Sequence, residues 1–73
     1  MAAVLHILGH NDLTGALAVM ADQVASGDVV TVAAVAPLAT RLPPGVSVRR
    51  IPDDLSWEQL LDLIFAADQV LSW

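Results

Sequence analysis

Apolar residues along this chain fall into short continuous runs and helix-period stretches, and the two kinds take turns. Val4-Leu5-His6-Ile7-Leu8, ended by Gly9, predicts a first strand. The turn Gly9-His10-Asn11-Asp12 leads into a helix beginning near Leu13, with Asn11, Asp12 or Thr14 as its cap. Leu13, Leu17, Met20 and Val24 recur at helical spacing and predict a buried stripe, with Asp22 and Gln23 outside it. Ser26-Gly27 closes this helix, the glycine taking the left-handed position past its end. Residues 29–35 form a β-branched run that predicts a second strand buried on both faces. Pro37 stops it, residues 38–42 predict a helical turn, and Pro43-Pro44-Gly45 is a loop. Val46-Ser47-Val48-Arg49-Arg50-Ile51 alternates and predicts a third strand, more exposed than the second, ended by Pro52.

The last third of the chain holds both tryptophans, the single phenylalanine and five leucines. Ser56 and Gln59 have capping-box spacing, and Leu55 and Leu60 are placed to form a hydrophobic staple across the helix start. Asp53, Asp54 and Glu58 put negative charge at the positive end of the helix dipole. Trp57, Leu60, Leu61 and Ile64 follow the i, i+3, i+4, i+7 rule and predict the buried stripe. Leu63 and Phe65 widen it, as expected of a deeply buried helix or of one that meets a second subunit. Asp68-Gln69 breaks the pattern, and Val70-Leu71-Ser72-Trp73 predicts a short strand or extended tail. A solvated terminal tryptophan would forfeit the burial of its ring, so Trp73 is expected at a contact.

The order β–α–β–(turn)–β–α–(β) predicts a small open α/β sheet, mostly parallel, with helices on its faces. At 73 residues the chain is at most one domain, spanning residues 1–73. A chain this short buries only about 60% of its unfolded surface, yet 56% of its residues are hydrophobic. That excess favours apolar surface shared with partners. No cysteine is present, so no disulfide, thiolate metal site or catalytic thiol is available. Eight acids against three arginines and no lysine give a net charge of −5. This balance disfavours direct nucleic-acid binding and docking on anionic lipid. Charged residues interrupt every window long enough to span a membrane, and the N-terminus lacks the basic flank of a signal peptide. The expected location is cytoplasmic.

In an open α/β sheet, ligands gather beyond the carboxyl ends of the strands. There the loop with Gly9, His10, Asn11 and Asp12 is a candidate anion-binding turn, although it lacks both GxGxxG and the P-loop lysine. His6, inside a strand, is expected in the core or an interface, whereas His10 is better placed for proton transfer or partner contact. His6, His10 and Asp12 reproduce no established ligand spacing, so no metal and no cofactor are expected. Asp53, Asp54 and Glu58 read as a helix cap rather than a catalytic set. Arg49 and Arg50 point to opposite faces of their strand, so that Arg49 is a candidate interface ion-pair donor. No Ser–His–Asp or Cys–His arrangement is present, and the chain is not expected to be an enzyme by itself.

Both ends of the chain resemble the DsrH/TusB family of sulfur-relay subunits. Leu5-His6-Ile7-Leu8 is similar to the family's opening strand, and Ala25-Ser26-Gly27-Asp28 before the second strand is similar to its Gly-Asp helix end. Trp57-Glu58-Gln59-Leu60-Leu61-Asp62-Leu63 resembles its aromatic-led last helix, and Val70-Leu71-Ser72-Trp73 its closing segment. The resemblance implies a DsrE/F/H-like fold and a non-catalytic, oligomerising subunit of a DsrEFH/TusBCD-like complex. Such complexes pass persulfide sulfur for tRNA wobble-uridine thiolation or for sulfur oxidation. It also implies partners of the DsrE/TusD and DsrF/TusC type, one of which carries the transferring cysteine. Some members carry a cysteine in the first helix where this chain has Met20, which has no thiol to offer. Candidate contact residues are His6, His10, Trp57, Phe65 and Trp73. The alternative is a stand-alone α/β domain that binds a small anion or nucleotide through residues 9–12. A third reading is a truncated piece of a larger enzyme domain.

Overall fold

The computed structural model describes residues 2–9, 14–35 and 41–73. Six elements follow in order: strand β1 (Ala3–Leu8), helix α1 (Thr14–Ala25), strands β2 (Val29–Ala34) and β3 (Ser47–Arg50), helix α2 (Trp57–Ala66) and strand β4 (Gln69–Ser72). The four strands form one parallel sheet in the order β3-β2-β1-β4. The expected α/β architecture is therefore present, and the tail forms a strand paired directly with β1.

Right-handed crossovers require the β1–β2 and β2–β3 connections on one face of this sheet and the β3–β4 connection on the other. The core is divided in the same way. On one face Leu8, Val30 and Val32 pack with Ala16 and Met20 of α1, joined by Leu42 and Val46 from the β2–β3 connection. On the other, Leu5 and Ala33 pack with Leu60 of α2 and with Ile51. Neighbouring strand residues thus serve opposite faces, so a strand slipped by one residue would exchange its two sets of side chains.

Helix α2 begins, and helix α1 ends, as the sequence specifies. Ser56 Oγ accepts from the Gln59 N–H at 3.2 Å, and Gln59 Oε1 accepts from the Ser56 N–H at 2.8 Å, completing the capping box. Leu55 joins the cluster that contains Leu60, as a staple requires. At the end of α1, Gly27 lies at φ 87°, the Asp28 N–H donates to the Gln23 carbonyl and the Gly27 N–H to that of Val24. This is the Schellman pattern. Asp28 and Asp68 also tie down the start of the central strand, accepting from the Ala2 and Ala3 amides at 3.1 and 2.8 Å.

Several expectations need correction. In β2 the burial is incomplete: Val30, Val32, Ala33 and Ala34 are buried and Thr31 is half-buried, whereas Val29 at its start and Val35 just beyond its end are exposed. The β2–β3 connection holds no helix that could cover them among its described residues. In α1 the buried residues are Ala16 and Met20; Leu17 and Val24 are half-buried, and Leu13 lies outside the described residues. Gln23 does not face outward, for a reason given below. The turn expected over residues 38–42 falls largely outside the described residues, and Leu42 itself is irregular. In α2 the sheet-facing side is Leu60, Leu63 and Ile64, while Trp57 and Leu61 are exposed.

Gly45 and Gly27 allow a controlled test of this packing, since both have positive φ. A methyl group at Gly27 would meet nothing within 4 Å, but at Gly45 it would lie 3.0 Å from Val24 Cγ1. Gly27→Ala should cost about 1–2 kcal/mol from left-handed strain alone. Gly45→Ala should cost distinctly more, because Val24 must also move. Urea denaturation of the two variants checks this order; equal losses would contradict the close approach.

Candidate functional site

The most connected side chain is His6, in the middle of β1 and 0% exposed. Its Nε2 lies 2.6 Å from Gln23 Oε1 on α1, and its Nδ1 lies 2.8 Å from Trp73 Nε1. An indole nitrogen can only donate. Nδ1 must therefore accept from Trp73, which leaves the ring proton on Nε2, where it is donated to the Gln23 carbonyl oxygen. The two rings lie almost parallel, at 17° with centroids 6.2 Å apart. Because both nitrogens are engaged and the ring is sealed, His6 is a core residue and is not placed to bind a metal or move a substrate proton. Gln23 was missed as a partner because its amide is polar, although its stem lets it reach inward from the edge of the apolar stripe.

Trp73 also occupies the place where this sheet would receive a ligand. The order of strand addition reverses between β1 and β4, so the crevice beyond their carboxyl ends is the natural binding position. There the Gly9 N–H donates to the Trp73 carbonyl at 3.0 Å, and a methyl group on Gly15 would lie 3.6 Å from the Trp73 ring. The Gly9 amide is thus spent within the fold. His10, Asn11 and Asp12, the rest of the predicted anion turn, lie outside the described residues.

Arg49 and Arg50 are both exposed on the edge strand β3, and their pairing with Ala33 and Ala34 places them on opposite faces as expected. Asp54 Oδ2 accepts from the Arg50 backbone amide at 2.9 Å, a structural role that orders the turn before α2. A shallow depression of about 80 Å³, lined by Val29, Thr31, Leu63 and Ala66 among others, has Thr31 as its one polar side chain and holds no ionisable group.

The feature left without a structural role is on α2. Trp57, Leu61 and Phe65 are 60%, 52% and 82% exposed and are spaced four residues apart, making an apolar row along the helix. Glu58 and Asp62, also four apart, run beside it and are exposed. Among the described residues, no hydrogen bond or ion pair engages either carboxylate. Of the predicted contact residues, the fold therefore pairs His6 with Trp73 in the interior and brings Trp57 and Phe65 together on the surface. The two sets lie on opposite sides of the sheet, His6 and Trp73 with α1 and the exposed row on α2.

No family model, curated protein or solved structure matches the chain.

The His6 network yields a direct test. Trp73→Phe keeps a ring but removes the donor, leaving a buried acceptor at a cost of about 1–3 kcal/mol. Combining Trp73→Phe with His6→Leu should cost less than the sum of the two single changes, since the orphaned acceptor is removed as well. A denaturation cycle measures this; strict additivity would contradict the hydrogen bond.

Proposed function

We propose that this chain is a non-catalytic subunit that joins an assembly through the exposed face of α2. The observation that carries this reading is the row of Trp57, Leu61 and Phe65. These are large apolar side chains that the fold holds in fixed order and does not itself cover. Burying the exposed parts of these side chains on a partner would favour association, with Phe65, the most exposed of the three, contributing most. Such a row, flanked by charge on one side, is the kind of exposed apolar surface through which proteins associate.

The sulfur-relay reading specifies the assembly. In it the chain is a DsrH/TusB-like subunit alongside DsrE/TusD- and DsrF/TusC-like partners in the cytoplasm, and a partner's cysteine carries the persulfide. Its support is in the residues that resemble that family: His6 and Trp73 belong to the opening and closing segments, and Trp57 leads the last helix. The alternative reading, anion or nucleotide binding at residues 9–12, is less favoured because Trp73 takes up the Gly9 amide and lies against Gly15.

The deciding measurement is the native mass of the chain over a dilution series, with and without a DsrE/DsrF-like pair from the same genome. The docking reading expects a larger species, and Phe65→Ser should weaken it by about tenfold or more. Because Phe65 is so exposed, that change should alter folding stability by no more than about 0.5 kcal/mol. A folded monomer indifferent to the pair would remove the relay assignment.

A further inference from the structure

We infer that the α2 face is built for a basic amphipathic helix of another protein, an inference that rests on the docking reading and names the partner's chemistry. Two parallel rows carry it. Trp57, Leu61 and Phe65 repeat at helical spacing, so they match apolar side chains at i, i+3 or i+4, and i+7 on a facing helix. Glu58 and Asp62 flank them on one side. Asp53 and Asp54 precede the helix, and the chain carries eight acids against three arginines. No hydrogen bond or ion pair with a described residue engages Glu58 or Asp62, so both exposed carboxylates remain available to a basic partner. A helix with lysine or arginine beside its apolar stripe supplies that charge and covers the row in a single contact.

A second copy of this chain fits less well. In an antiparallel two-fold pairing of α2 helices, each flank meets its own counterpart, so Glu58 and Asp62 would face Glu58 and Asp62. Like charges at that distance oppose association. Nor can α2 supply balancing cations, for it has none: Arg49 and Arg50 lie on β3, and Arg41 lies in the connection before it.

The test uses the intact chain and three labelled synthetic peptides of equal length. One is a leucine/lysine sequence with leucines at i, i+3, i+4 and i+7, one has the same pattern with glutamate for lysine, and one is a scrambled leucine/lysine sequence without an apolar face. Fluorescence anisotropy reads binding, sedimentation reads self-association, and circular dichroism confirms that each variant is folded. The patterned leucine/lysine peptide should bind about tenfold or more tightly than either of the others. Phe65→Ser, and separately Glu58→Gln with Asp62→Asn, should each weaken it by about tenfold, and added salt should reduce the second effect. Equal binding of the glutamate peptide overturns the inference, and so does binding that ignores Phe65→Ser. A chain that instead forms a Phe65-dependent dimer overturns the basic-helix partner but leaves the docking reading standing. A monomer that binds neither the peptides nor the relay pair removes both.

Discussion

The donor-only nature of the Trp73 indole nitrogen fixes the interior of this protein. Because that N–H meets Nδ1 of His6, the imidazole proton is held on Nε2 and directed to Gln23. One ring in the central strand thereby joins β1, α1 and the end of β4, segments far apart in the chain. A displaced strand would leave the members of this network buried and unpaired, so the arrangement that satisfies all of them is favoured over its alternatives. If β4 slipped by one residue against β1, the Trp73 ring would pass to the opposite face of the sheet, and His6 would lose its partner. Strand β4 has only four residues and is largely exposed, so its own side chains specify register weakly. The His6–Trp73 contact supplies what those four residues lack.

That same contact changes the meaning of the topology. A parallel sheet whose strand order reverses between β1 and β4 leaves a crevice where nucleotide-binding proteins of this architecture place their ligand. Here the crevice receives an indole, and the backbone of Gly9 is bonded to the residue that carries it. Topology alone therefore argues poorly for a ligand. On the other face of the sheet, α2 presents the exposed Glu58 and Asp62 carboxylates beside the exposed Trp57 and Phe65 rings.

Much of the fold was legible in the order of apolar runs, because strand and helix periods differ and each helix carries its own stop or start. The capping box at Ser56 and the glycine at position 27 were readable from a few neighbouring residues and formed as expected. The His6 network was not readable, since a hydrogen bond between residues so distant in sequence leaves no local pattern. Gln23 was assigned to solvent because apolar periodicity counts only apolar residues. The two sides of α2 were confused for a different reason. With Trp57, Leu60, Leu61, Leu63, Ile64 and Phe65 all large and apolar, more than one stripe satisfies the helical rule. The acids decide between them. Phe65 follows Glu58 by two turns and Asp62 by one, which sets it on the charged side, away from the sheet. That signal was present in the sequence, and it lay in the polar residues.

This division of α2 also bears on how so short a chain remains folded. Small domains bury a limited share of their surface, so every large apolar side chain left outside is stabilisation forgone. The fold nevertheless closes both faces of its sheet using mostly aliphatic residues and one methionine: Leu5, Leu8, Met20, Val30, Val32 and Leu60. Phe65 and Trp57 contribute little to that closure. A polar residue at either position would leave the two core clusters intact and would lower the risk of self-association. Folding alone therefore leaves their presence unexplained; the docking proposed for α2 would account for it, and the carboxylates beside them would then bear on which partner fits.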